Sequence, residues 1–127
     1  MNTDIHELLY ENETRQIIGC AMEVLNNLGC GLLEKPYENA VATELKIRGV
    51  PFKQQERFNV VYKGVKVGEY ASDLTAFGKV IVETKVVDKI TGVEEAQLLN
   101  YLRIYGLKVG IILNFRYPKL QWKRLVL

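Results

Sequence analysis

The stretch Tyr70–Val87, YASDLTAFGKVIVETKVV, most narrows what this 127-residue chain can become. It contains two short segments rich in Val, Ile, Leu and Ala, separated by a turn around Gly78, and reads as two antiparallel strands near the middle of a sheet. With Phe77, Gly78 and Lys79 as the loop, the register sets Asp73 directly across from Glu83. Side chains alternate faces along a strand, so Glu83 and Lys85 share a face with Asp73, while Val80, Val82 and Val86 point the other way. Two carboxylates and a lysine therefore meet on an otherwise apolar surface. Burying them is costly unless the charge is compensated, and a divalent cation would compensate it.

The rest of the chain is one domain, residues 1–127, long enough to bury a core without disulfides or a structural metal. A net charge of +2 permits a nucleic-acid partner without arguing for one, since electrostatic binders usually carry a larger excess of Lys and Arg. Cys20 and Cys30 lie roughly 15 Å apart along a helix at 1.5 Å per residue, which excludes a disulfide. They read as buried or half-buried reduced thiols of a cytoplasmic protein. No apolar run approaches a membrane span, and the polar, acidic start is unlike a signal peptide, so no membrane partner is expected. The first dozen residues read as a flexible arm. They carry His6, the one histidine, so triads that need a second imidazole are excluded.

Helical spacing of Ile17, Ile18, Ala21, Val24, Leu25 and Leu28 predicts a helix capped near Thr14 and ended by Gly29-Cys30-Gly31. A second helix is expected from about Lys35 to Arg48, with Pro36 in its first turn and Tyr37, Ala40, Val41, Glu44 and Leu45 on one stripe. Phe52–Tyr62 reads as a strand, Lys63-Gly64 as a hairpin turn, and Val65–Leu74 as the partner strand, which joins the Asp73–Glu83 pair in a three-stranded meander. A helix over Thr91–Tyr105 has Ala96, Leu98, Leu99, Leu102 and Ile104 as its apolar positions. It leads into a buried strand, Lys108–Asn114, parallel to the strand before the helix. Trp122–Leu127 makes a final edge strand or covers the core. The order is ααβββαβ(β), an α+β domain with a mixed sheet flanked by helices.

A hard cation such as Mg²⁺ takes oxygen ligands and keeps several waters. Asp73 and Glu83 would supply one oxygen each, and the Thr84 carbonyl a third. Lys85 could then orient an attacking water or neutralise charge on a phosphate. The alternative is a structural Glu83–Lys85 salt bridge. Gln97 and Tyr101, spaced i and i+4, share a helix face that could point over the carboxylates. The plainer reading makes Gln97 a surface residue and Tyr101 a packing aromatic.

Asp73, Glu83-Thr84-Lys85 and Gln97-x-x-x-Tyr101 resemble motifs II, III and QxxxY of the PD-(D/E)XK nuclease superfamily, especially its RecB-like branch. The segment GLLEKPY, Gly31–Tyr37, is similar to the signature of the small bacterial GxxExxY proteins within that superfamily. The similarity extends through VVYKGVKVGEY, VIVETKVVDKI, EEAQLLNYLRIYGLKVGIILNF and KRLVL. The resemblance implies a restriction-endonuclease-like core, with Asp73 and Glu83 as metal ligands and Lys85 as the catalytic lysine. It further implies Glu34 as a helix-side acid that can join the metal, and Gln97 and Tyr101 as positioning residues. Read from its place alone, Glu34 is equally a favourable charge at a helix N-terminus. Many members carry His at the position of Leu25, and here Asp73 follows Ser72 rather than proline.

The expected function is hydrolysis of DNA phosphodiesters with Mg²⁺ or Mn²⁺. The alternatives are a non-catalytic nucleic-acid- or partner-binding module on the same fold, and a structural subunit whose acids form a satisfied network. A homodimer or a helper protein could complete the substrate groove.

Overall fold

The computed structural model describes residues 9–127. His6 and most of the expected arm lie outside those residues. Helix α1 spans Glu11–Leu28 and α2 spans Glu34–Ile47. Five short strands follow: β1 Phe52–Gln54, β2 Arg57–Tyr62, β3 Val65–Ala71, β4 Leu74–Ala76 and β5 Val80–Lys85. Then come α3 Gly92–Tyr105, β6 Val109–Asn114 and β7 Gln121–Val126. Thr14 does not cap α1. It lies inside the first turn, buried, with its hydroxyl donating to the carbonyls of Tyr10 and Glu11 at 3.0 Å. Cys20 is buried as expected, whereas Cys30 is exposed.

The main sheet has the order β1-β4-β5-β6-β7. β5 and β6 run parallel because α3 carries the chain back over one face, and the remaining neighbours are antiparallel. All six residues of β6 are buried, as a strand covered on both faces must be. Val80 and Val82 of β5, with Val109, Ile111 and Leu113 of β6, face α1 and α2 in the larger apolar cluster. Ile81 and Ile112 face Leu98 and Leu102 of α3 in the smaller one. Each such buried aliphatic side chain stabilises the fold by about 1.5–3 kcal/mol relative to exposure. The expected stripe of α3 narrows to Leu98 and Leu102, and Ala96 is exposed.

The meander is where the structure departs from the sequence reading. Phe52–Tyr62 is not one strand: it breaks at Gln55 into β1 and β2. Val65–Leu74 breaks likewise at Ser72-Asp73, separating β3 from β4. β1 pairs with β4 in the main sheet, while β2 and β3 form a separate two-stranded hairpin packed on α3. Tyr105 joins the two breaks. Its hydroxyl donates to the Glu56 carbonyl and accepts the Ser72 N–H at 2.7 Å, so both chain breaks are tied to one phenol. The Tyr105 ring lies 4.1 Å from that of Phe58, and Tyr101 meets Tyr70 edge-on at 4.5 Å, holding the hairpin against α3.

Close approach of α3 to β6 is set at Gly110. A Cβ there would lie 2.7 Å from Leu98 Cδ1 and 2.9 Å from its Cγ. Leu98 is buried and cannot swing aside freely. Gly110→Ala is therefore expected to destabilise the protein by about 1–3 kcal/mol in urea denaturation. Combined with Leu98→Ala, it should cost at least about 0.5 kcal/mol less than the two changes summed.

Candidate active site

The predicted register between the two central strands holds. Leu74 pairs with Val82, Thr75 with Ile81 and Ala76 with Val80, so one further step sets Asp73 opposite Glu83. Asp73 itself lies just outside β4, in the break between β3 and β4. Its Oδ2 accepts two hydrogen bonds at 2.8 Å, from the Thr84 backbone N–H and from the Thr84 hydroxyl. The carboxylate thus stands where a further residue of β4 would have offered a carbonyl. The Lys85 carbonyl accepts the N–H of Phe115, which follows β6. Backbone groups alternate sides along a strand, so the Thr84 carbonyl faces the opposite flank, where β4 has ended.

Glu83 is 5% exposed, and its Oε1 is buried with no hydrogen-bond partner among the described residues. Burial, reinforced by the neighbouring Asp73 charge, pushes its pKa well above the ordinary Glu value, and Lys85 only partly offsets this. Burial also raises Asp73, against the two Thr84 hydrogen bonds, with Glu38 adding to the rise. Among the described residues Lys85 forms no ion pair, so the Glu83–Lys85 salt bridge considered from sequence is not made. Tyr101 is held against the same acids. Its hydroxyl is pushed up to about 12 by burial and then by Glu83. Gln97, one turn earlier on α3, is exposed.

Glu34 sits at the first position of α2, exposed, with its Oε1 accepting the Val86 N–H at 3.4 Å. This places it on the rim, bonded to the residue that follows Lys85. The acid that enters the cluster from α2 is Glu38, one turn further on, which sequence reasoning missed. Glu38 is 3% exposed, and its charge acts on both Asp73 and Glu83. Burial pushes Glu38 up, but Gln54, Lys35 and Gln55 outweigh it and hold the carboxyl below the usual range. The available signal was its i+4 spacing from Glu34 on the stripe that buries Tyr37. Tyr37 is structural: it stacks on Phe115 at 4.6 Å and donates its hydroxyl to the Gly29 carbonyl. Leu25 lies in the core.

Asn114 is a second residue the sequence did not flag. Fully buried at the end of β6, it exchanges two hydrogen bonds with the backbone of Val87, at 2.8 and 3.0 Å. The loop leaving Lys85 is fixed by this pair.

A carboxyl whose folded pKa is raised keeps its proton in the native state after the unfolded chain has lost it. Stability is then greatest below the ordinary value, 4.5 for Glu83, and falls as pH rises toward the folded value. Glu38 has the opposite sign and loses its contribution only as pH falls below 4.5. In divalent-free buffer, Glu83→Gln is expected to raise Tm at pH 7.5 by at least about 4 °C, equivalent to roughly 1 kcal/mol for a domain of this size. The gain should shrink steadily toward pH 5, as followed by thermal melts across that range.

A family model described as PD-(D/E)XK nuclease superfamily matches residues 11–125. No curated protein matches the chain. Among solved structures, that of SSO0001 aligns with a TM-score of 0.53 at 13% identity, covering 94% of this chain and 60% of that one. The present chain therefore spans about 60% of that protein's length, and the likeness concerns the fold. With the mixed sheet, the flanking helices and the family match over nearly the whole length, the chain belongs to the PD-(D/E)XK nuclease superfamily.

Proposed function

We propose that the protein is a divalent-metal-dependent nuclease that hydrolyses DNA phosphodiester bonds, with Asp73, Glu83 and the Thr84 carbonyl as the metal ligands. The observation that carries this reading is the Glu83 Oε1 atom, buried without a partner beside Asp73. An orphaned carboxylate oxygen in a low-dielectric site is what a hard cation satisfies. Mg²⁺ or Mn²⁺ suits a sparse protein shell because Mg²⁺ retains several waters. Among the described residues no group of three or more Asp, Glu, His or Cys side chains makes a fuller shell. When bound, the cation supplies charge neutralisation at the phosphate and a water of lowered pKa.

The chain's own groups take the other roles. Lys85, which makes no ion pair among the described residues, is the catalytic lysine and donates to a phosphate oxygen or to the attacking water. Tyr101 stays protonated at neutral pH and serves as a neutral donor at the edge of the acids. Gln97, exposed one turn away, contacts the substrate. Of the two acids in the first two turns of α2, Glu38 is in electrostatic contact with Asp73 and Glu83 and is favoured as the helix-side acid, while Glu34 acts from the rim. The Gly31–Tyr37 segment and the Gln97/Tyr101 pair support a finer placement with the GxxExxY proteins, near the RecB-like branch, in a bacterial cytoplasm. A second copy or a helper protein would complete the substrate groove.

Mn²⁺ is expected to stabilise the wild type by up to about 2.7 kcal/mol at a hundredfold excess over Kd, and Asp73→Ala to abolish the shift. With Mn²⁺ and single-stranded DNA, duplex DNA and RNA as substrates, Lys85→Ala should lower DNA cleavage about 10²–10³-fold. Gln16→Ala, on the exposed face of α1, should cleave as wild type does. Salt-sensitive DNA binding with no cleavage would instead identify a binding module that retains the fold.

A further inference from the structure

We propose that Gln55 is a positioning residue that fixes the spacing between Glu38 on α2 and Asp73 at the head of β4; as a functional claim, this rests on the nuclease reading above. The geometry is specific. The Gln55 backbone N–H donates to the Asp73 carbonyl at 3.0 Å. Its side-chain Nε2 donates to both Glu38 oxygens, at 3.1 Å each. One residue therefore holds both acids, one through its main chain and the other through its amide. Glu38 is otherwise carried on a helix of the opposite layer, and no strand pairing ties it to the sheet.

The backbone of Gln55 supports a dedicated role. Its φ is +56°, in the left-handed region that favours glycine. Such conformations persist in a non-glycine residue only where the surroundings over-determine them. If the position served only to turn the chain between β1 and β2, glycine would do so without strain. The glutamine is explained by its amide, whose Nε2 is shared between the two oxygens of the Glu38 carboxylate. Gln54 reinforces the arrangement, donating to Glu38 Oε2 at 2.6 Å and to Asn39 Oδ1 at 2.7 Å, and Lys35 adds an ion pair at 2.9 Å. Among the described residues Gln54 and Lys35 reach Glu38 without a bond to Asp73, so Gln55 is the residue that holds both acids, whose carboxyls also meet each other directly.

The test uses the full chain and two variants, Gln55→Gly and Gln55→Asn. Both residues accept the left-handed backbone, and Asn keeps an amide one methylene too short to span the distance. Melting curves, metal-free crystal structures and Mn²⁺ binding by calorimetry are compared with wild type. Tm is expected to stay within a few degrees, because relieved strain offsets the lost hydrogen bonds. The Glu38 carboxylate is expected to move away from Asp73 in both variants, and the Mn²⁺ Kd to weaken about 10-fold or more. Glu38 unmoved with Kd within twofold of wild type overturns the proposal. Loss in Gln55→Gly with normal binding in Gln55→Asn assigns the effect to the backbone and overturns it as well. If wild type binds no Mn²⁺, the nuclease reading falls, and the metal-free structures alone decide: Glu38 displaced upholds the clamp, and Glu38 in place removes it.

Discussion

The hydrogen-bond pair from Thr84 to Asp73 Oδ2 is where the sheet stops and the site begins. β4 is three residues long, so the Thr84 N–H on β5 has no strand carbonyl opposite it. Leaving a buried donor unpaired costs about 1–3 kcal/mol. The Asp73 side chain removes that cost and, in doing so, is locked in orientation. The same event lets the backbone of Ser72 leave the ladder and be taken by Tyr105. A bond that completes the backbone of β5 thus also aims an acid, and the fold cannot lose one without the other.

Around that bond the three acids are pulled in different directions. Glu38 is held ionised by two amides and an ammonium, whereas Glu83 lies on the central strand with an oxygen that nothing satisfies. Aliphatic side chains at positions 81 and 112 fill the same face of the sheet. Packing physics alone would place an apolar residue at 83. A buried acid retained there is destabilising in the metal-free protein, and stability and chemistry are in conflict at this one position.

The sequence made the central register legible because a period of two, a glycine turn and fully apolar flanks all agree over Leu74–Lys85. The helices, the parallel β5–β6 pair and the Lys63-Gly64 turn were legible for the same reason. The breaks at Gln55 and Ser72 were not. The polar run Lys53–Arg57 and the Ser72-Asp73 pair mark the two places only weakly, and what ties both breaks together is a phenol 49 and 33 residues away. Glu38 was hidden for a related reason: its neighbours in sequence are a helix, while its partners Gln54 and Gln55 arrive from the end of β1 and the break that follows it. Local pattern cannot show a group whose environment is supplied by another element.

Topology explains why all of these parts converge at one end of the molecule. A parallel pair requires a crossover, and the chain leaving β5 must rise from its carboxyl end before α3 can begin. In sheets of this kind ligands bind just outside the carboxyl ends of the strands, where such loops open a crevice. Here the loop is not loose. Asn114, at the matching end of β6, binds both backbone groups of Val87, and the Tyr117 hydroxyl donates to the Asp88 carbonyl at 2.7 Å. Lys85 is therefore held on one side by strand pairing through the Phe115 N–H, and on the other by a pinned loop. Among the described residues its ammonium makes no ion pair, while the backbone on either side of it is fixed. The proposed contact of Lys85 with a phosphate at a set position calls for that fixed backbone, which a lysine serving only solubility does not need.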